Sequence, residues 1–341
     1  MNNIKISIII PVYNTSKFLE KCLKSVVNQS LKEIEIICIN DGSTDSSLEI
    51  LERLQKEDNR IILINKEKNC GVTSARNTGL KIARGKYCLN IDSDDWIDQG
   101  YLKALYERAK KDDLDITLSN IIFDFKEENK KSYILNDLNI SDQKIITGKE
   151  YSDSFLENNF YGYTWNKLIK TELYKKNNIN YNEKIFLMED VEIILRLAYF
   201  ANRVGKINKA YYHYIQHNTN GSKNLTLKSL QDINNCFLSL FNFYNGKNIK
   251  IEKMIVERWS FNLIPRVIIF KNTENKEYQE LENKSLKLIK KINFSQIFLG
   301  YKQLKINYIF YLLLLKSISS KKDILFLKKV HYILKGLRKE K

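Results

Sequence analysis

The sequence predicts an α/β domain with a mostly parallel central sheet flanked by helices, followed by a helical, basic C-terminal region. Three observations carry this. Short, β-branched, almost continuously apolar runs recur through the first 125 residues, as strands covered on both faces require. Stretches with helical apolar periodicity alternate with them. The third is charge: residues 284–341 hold 15 lysines and arginines against Asp323 and Glu340, which is most of the formal net charge of +16.

Taken in order, KISIIIPV (5–12) is the first strand. Phe18, Leu19, Cys22, Leu23, Val26 and Val27 then form one apolar stripe on a helix. EIEIICIN (33–40) is the second strand, and DGSTDSS supplies Ser, Thr and Asp to cap a helix that turns Leu48, Leu51 and Leu54 inward. RIILIN (60–65) is the third strand, followed by a helix over roughly 73–84 that ends at Gly85. KYCLNI (86–91) and DITLSNIIF (115–123) are the fourth and fifth strands. Residues 126–150 turn polar, as a surface insertion would, residues 151–225 are aromatic-rich, and 226–341 reads as helices with lysine-rich exposed faces. The chain therefore divides at 225/226, and the first part divides again at 125/126.

Composition narrows the class. At 341 residues, 43% hydrophobic and 28% charged, the chain is an ordinary folded protein and not a disordered or fibrous one. Cys22, Cys38, Cys70, Cys88 and Cys236 have no CxxC spacing and an odd count, so reduced core thiols in a cytosolic protein are expected. MNNIKISIIIP has too short an apolar run for a signal peptide. The longest apolar run, NYIFYLLLL (307–315), is about half of the ~20 residues a spanning helix needs.

In parallel sheets ligands bind beyond the carboxyl ends of the strands. Three polar clusters stand at those ends: PVYN, NDGSTD and DSDD. The last places Asp92, Asp94 and Asp95 within four positions. A helix cap, a surface turn and a cation site are the available explanations. A cap suits one aspartate but not three, because neighbouring carboxylates repel unless a cation is present. Asp-x-Asp oxygens suit Mg²⁺ or Mn²⁺, with substrate phosphates completing the shell.

SIIIPVYN, INDGSTD, GVTSARNTGL and NIDSDDWI, in that order on those elements, resemble the serial motifs of family-2 glycosyltransferases with the GT-A nucleotide-diphospho-sugar transferase fold. The resemblance is dense over the first ~100 residues and continues weakly to about 225. It implies a catalytic domain over 1–225, with a nucleotide-sugar half (1–125) and an acceptor half (126–225). It also implies inverting transfer of sugar from a nucleotide diphosphate, with Mn²⁺ or Mg²⁺ as cofactor. Pro11 and Tyr13 would line the base pocket, and Asp41 would accept from the imide N–H of a uracil, which favours a UDP-sugar donor. Arg76 would sit near the diphosphate or brace the acidic loop, Asp92 would lie near the ribose or donor sugar, and Asp94 would be the main metal ligand. Each has a plainer reading: Asp41 as a turn before a helix, Tyr13 as packing, Arg76 as a solvent-facing residue or a partner of Asp95.

A single displacement needs a carboxylate to take the acceptor hydroxyl's proton. FLMEDVEIILRLAYF (186–200) offers Glu189 and Asp190 ahead of a helix striped by Val191, Ile194, Leu195, Ala198 and Tyr199. The resemblance implies Asp190 as base and Glu189 as its neighbour; the alternative is an acidic helix start favoured by the dipole. In YGYTWNKLIK (161–170), Trp165 and Lys167 would border the acceptor, or Trp165 would fill the core. His217, in YYHYIQHNTNGS, would add a metal ligand or stand as a surface histidine.

The partners expected are a UDP-sugar donor, a glycan or lipid-linked glycan acceptor of cell-surface polysaccharide or lipooligosaccharide synthesis, and an anionic membrane touched by the amphipathic basic tail. That places the enzyme in the cytoplasm, peripheral on the inner membrane face. A solvated face or a dimer contact would also explain the tail, so homo-oligomerisation stays open. Nucleic acid is not expected, since the aromatics form no binding motif. A sugar nucleotidyltransferase would carry a glycine-rich loop after strand one, where PVYNTSKF has none. A non-catalytic sugar-binding module would not need Asp41, Asp92, Asp94 and Asp190.

Overall fold

The computed structural model describes residues 4–125, 132–158, 162–216, 226–255, 258, 259 and 279. β1 (Ile6–Val12) and β2 (Ile34–Asp41) are buried along their whole length, which is why their sequences are apolar without alternation. α1 (Ser16–Val27) and α2 (Ser47–Glu57) follow them, burying Leu19, Cys22, Leu23 and Val26, and Leu51 and Leu54. β3 (Ile61–Lys66), α3 (Val72–Ile82) and β4 (Tyr87–Asn90) complete the first half. The strands run in the order β3-β2-β1-β4, all parallel. Val12 pairs with Asn40, Asp41 with Lys66 and Ile9 with Asn90. The three polar clusters therefore leave the sheet along one edge.

Beyond β4 the sheet is mixed. β5 (Trp96–Ile97), α4 (Tyr101–Lys111), β6 (Ile116–Phe125), β7 (Tyr133–Leu135), α5 (Gly148–Asn158), β8 (Lys167–Lys170), α6 (Thr171–Lys176), α7 (Glu189–Phe200) and β9 (Val204–Gln216) follow in the chain. β8 lies antiparallel between β4 and β6, β9 runs parallel to β6 with a bulge at Asn120, and β5 closes the order antiparallel to β9. All five expected strands are present. β8 and β9 were not legible: one is four residues long, and the other is half-exposed and interrupted by Lys206, Asn208 and Lys209.

One continuous core joins Ile8, Leu23, Ile36 and Leu89 under α1 and α2 to Leu102, Leu105, Trp165, Leu168 and Tyr212. Each such side chain contributes about 1.5–3 kcal/mol by leaving water. The polar stretch expected as a surface insertion is anchored in its described part. Asp137 is buried against Lys167 at 2.7 Å, and Lys206 donates to the Leu138 carbonyl at 2.7 Å. All five cysteines are unpaired; Cys70 is exposed and the other four are buried.

The chain forms two compact units, Met1–Lys223 and Asn224–Lys341. In the second, α8 (Leu227–Tyr244) starts at a reciprocal cap between Thr226 and Ser229 and buries Leu230, Ile233, Phe237 and Leu240. The basic stretch 284–341, and the membrane contact expected of it, lie outside the described residues. Among the described residues no helix is long and apolar enough to cross a membrane.

Candidate active site

The site begins where β1 and β2 end. Pro11 is buried in β1, while Tyr13 turns outward and is 45% exposed. Asp45 ties the two loops together. Its Oδ2 accepts from Ser16 N and its Oδ1 from Ser47 N, both at 3.0 Å. One carboxylate thus serves the first turn of both α1 and α2. Burial pushes this carboxyl up, but the bonds from Ser47 and Ser16 outweigh it and hold it down to about 2.

Asp41 is buried and organises the next loop. Lys66 Nζ donates to its Oδ1 at 2.5 Å, while Cys70 N and Gly71 N donate to its Oδ2 at 3.1 and 2.7 Å. Three of its roughly four acceptor positions are thereby used. Gly71 sits at φ +92, and a Cβ there would come within 2.7 Å of the Phe186 ring. The loop ahead of α7 therefore packs onto the loop held by Asp41.

The acidic turn divides its labour. Asp95 is a buried structural residue: Tyr212 donates its hydroxyl hydrogen to Oδ2 and Ile215 N donates to Oδ1, both at 2.8 Å. Burial first, then the charges of Asp94 and Asp92, push its carboxyl well up. The same Tyr212 oxygen accepts from Asp92 N at 3.1 Å. Ser93 is also buried and accepts from the Thr15 hydroxyl at 3.0 Å. Asp94 alternates outward and is half-buried.

Arg76 joins this turn to α7. It lies on the buried face of α3 with 3% of its side chain exposed, and its Nη2 donates to Asp92 Oδ1 at 2.8 Å. Its Nη1 donates to Asp190 Oδ1 at 2.9 Å and Glu189 Oε1 at 3.1 Å. Arg76 is therefore not a solvent-facing residue, and among the described residues it forms ion pairs with Asp92, Glu189 and Asp190. Burial works against its charge, but Asp190 and Asp92 prevail and raise its pKa well above the ordinary value.

A left-handed residue, Met188 at φ +69, turns the chain into α7. Glu189 and Asp190 stand in the first turn, where the helix dipole favours carboxylates. Burial and then Asp190 push Glu189 upward, against Arg76. Asp190 also accepts from the Thr164 hydroxyl at 2.8 Å on Oδ1 and from Thr164 N at 3.3 Å on Oδ2. The hydroxyl of Tyr181 reaches Thr164 Oγ1 at 3.2 Å. Lys66, Thr164, Tyr181 and Tyr212 were not singled out in the sequence.

The expected acceptor residues lie deeper than an open cleft requires. Trp165 is 2% exposed and stacks on Tyr212 and Tyr163, with centroids at 4.3 and 4.5 Å, so it fills the core. Lys167 is fully buried, donating to Asp137 Oδ2, the Tyr163 carbonyl and Asn166 Oδ1. It has no exposed face to offer an acceptor. His217 lies outside the described residues.

No three acidic, histidine or cysteine side chains among the described residues form a metal cage. The donor set still fits a cation that brings its own ligands. Arg76 supplies one positive charge to Asp92, Glu189 and Asp190. Burial first pushes Asp92 up, only partly countered by Arg76, and Asp94 adds to the rise. Among the described residues three carboxylates thus share one guanidinium, and one or two carboxylates completed by phosphate oxygens are what Mg²⁺ or Mn²⁺ takes.

The profile of the family described as "Glycosyl transferase family 2" matches residues 7–177. The chain is 35% identical over 216 residues to "Glycosyltransferase GlyA" of Streptococcus pneumoniae, covering 59% of this chain and 31% of that one. It is 34% identical over 230 residues to "Uncharacterized glycosyltransferase EpsJ" of Bacillus subtilis, covering 67% and 65%. The matches thus span from about a third to just under two-thirds of those relatives. The structure of S. aureus TarS 1-349 in complex with UDP-GlcNAc superimposes with a TM-score of 0.71 at 20% identity, covering 97% of this chain and 92% of that one. That likeness is one of fold.

Proposed function

The chain belongs to glycosyl transferase family 2 and has its GT-A fold, and from that membership we propose that it is an inverting, metal-dependent transferase. It moves sugar from a nucleotide-diphospho-sugar, a UDP-sugar, to a hydroxyl of a glycan or lipid-linked glycan used in cell-surface polysaccharide synthesis. The observation that carries this reading is the Arg76 node, because it sets Asp92 of the donor turn and Asp190 at the α7 N-terminus on one guanidinium.

In this reading Pro11, exposed Tyr13 and the loop fixed by Asp41 frame the base. Asp92 faces the ribose or donor sugar. Asp94, half-buried and turned outward, holds the cation. When bound, Mn²⁺ or Mg²⁺ neutralises the departing diphosphate. Asp190 takes the proton of the attacking hydroxyl, while Arg76 keeps its carboxylate in place and Glu189 shares the guanidinium. UDP-GlcNAc in the complex of the fold neighbour supports a uridine nucleotide but leaves the sugar to experiment.

The test is nucleotide release from UDP-glucose, UDP-galactose, UDP-GlcNAc and UDP-GalNAc, with Mn²⁺ and with EDTA. Release from one donor, lost with EDTA and in both Asp94→Ala and Asp190→Asn, is the expected result. Release that survives EDTA removes the metal from the mechanism, and no release from any donor sinks the reading.

A further inference from the structure

Two routes, not one, tie Asp190 to the end of β4. The first runs from Asp92 through Arg76. The second starts two residues earlier: Asn90 Nδ2 lies 2.8 Å from Tyr181 Oη, Tyr181 Oη lies 3.2 Å from Thr164 Oγ1, and Thr164 Oγ1 lies 2.8 Å from Asp190 Oδ1. Asn90, Thr164 and Tyr181 are all buried. The direction of every bond follows from chemistry. An ionised carboxylate only accepts, so the single hydroxyl hydrogen of Thr164 goes to Asp190. Thr164 must then accept from Tyr181, and Tyr181 from the Asn90 amide.

The consequence is an asymmetric carboxylate. Oδ1 receives two short bonds, from Arg76 at 2.9 Å and Thr164 at 2.8 Å. Among the described residues Oδ2 receives one bond, from Thr164 N at 3.3 Å. Resting on the assignment of Asp190 as base, we propose that Thr164, held by Tyr181, is a positioning residue that fixes Asp190 so that Oδ2 is the oxygen that takes the acceptor's proton. The proton passes from the acceptor hydroxyl to Oδ2, and the oxygen left behind forms the new glycosidic bond as the bond to diphosphate breaks. A carboxylate freed to rotate would present either oxygen at random, and misaligned encounters are lost from kcat rather than from donor binding.

The experiment measures UDP release from whichever of the four UDP-sugars turns over, with water as acceptor, and separates kcat from donor KM. Thr164→Val keeps the shape and loses the hydroxyl; kcat should fall about tenfold or more with donor KM within about twofold. Thr164→Ser restores the hydroxyl and should recover to within about threefold of the wild type, and Tyr181→Phe should fall between the two. Unfolding midpoints identify a variant that has lost its fold, in which case Ser against Tyr181→Phe carries the comparison. A Thr164→Val enzyme with wild-type kcat, or a Ser variant as slow as Val, overturns the inference. Asp190→Asn, run alongside, distinguishes the failures. If it still turns over, the base assignment itself is wrong; if the wild type releases nothing, the transferase reading falls and this inference with it; if Asp190→Asn is inactive while Thr164→Val is unimpaired, only the role of Thr164 falls.

Discussion

Arg76 and Asp190 stand 114 positions apart in the chain and 2.9 Å apart in the fold. One guanidinium nitrogen spans that separation and also reaches Glu189, while the other nitrogen holds Asp92. Arg76 is therefore one buried side chain that ties the acidic turn after β4 to the first turn of α7.

Replacing that side chain should destabilise the protein strongly. Arg76→Ala leaves three carboxylates without their counter-charge, and loss of one partner from a buried charged cluster costs about 3–5 kcal/mol. The pKa values of Asp92 and Glu189, already raised in the fold, rise further. A group whose folded pKa lies above its unfolded value costs stability as pH climbs from the unfolded value through the folded one. The deficit of the variant should be largest near pH 7.5 and shrink toward pH 4.5, as read by urea unfolding at both. A deficit independent of pH would mean that packing, not charge, is what Arg76 provides.

Gly71→Ala is expected to lose donor binding before it loses the fold. The residue sits at φ +92 with Phe186 2.7 Å from the added methyl, and its N–H anchors Asp41. A side chain at positive φ costs about 1–2 kcal/mol before the clash is counted. Calorimetry with UDP should show binding weakened at least tenfold. Unchanged binding would separate the 66–71 loop from the base pocket.

Lys167→Met should act on stability alone. It removes the ion pair to buried Asp137, which strands a carboxylate and costs about 3 kcal/mol or more. The kinetic constants of the folded fraction should match the wild type. A raised acceptor KM without a stability loss would return Lys167 to the acceptor site.

Asp45 predicts part of the acid limb. Its folded pKa, about 2, lies below the ordinary carboxylate value, so its contribution is fully present above about pH 4 and is lost as pH falls toward 2. Asp45→Asn should flatten that limb and lower stability at neutral pH by about 0.5–2 kcal/mol through weakened caps on α1 and α2. Unfolding curves between pH 2 and 6 test it.

How much of this was readable depends on where each signal lies. β1, β2 and β4 were legible because burial on both faces leaves no polar position to obscure them. The acidic turn stood out because three carboxylates crowd four residues. Arg76 was visible as part of a motif, but its partners were not, since Glu189 and Asp190 come from a helix more than a hundred residues later. Thr164 and Tyr181 carry no pattern at all: a buried threonine and a buried tyrosine look like core until their hydroxyls are placed. Lys167 came to the acceptor site only through the resemblance of YGYTWNKLIK to a family motif, and the buried aspartate that accommodates it is supplied by the fold. β9 escaped because buried Lys206 and exposed Asn208 and Lys209 break the apolar run.

The Tyr212 hydroxyl, held between Asp92 N and Asp95 Oδ2, also fixes a sequence of events in time. The acidic turn has left the ribosome long before Tyr212 is made, 120 positions after Asp92. Until β9 threads in beside β6 and brings that hydroxyl, Asp92 and Asp95 have no bracket, and closing so long a loop is among the slower steps of folding. The acidic turn is made early but gains this bracket only when β9 is in place, so a nascent or truncated chain ending before β9 holds the turn without the Tyr212 hydroxyl that fixes it.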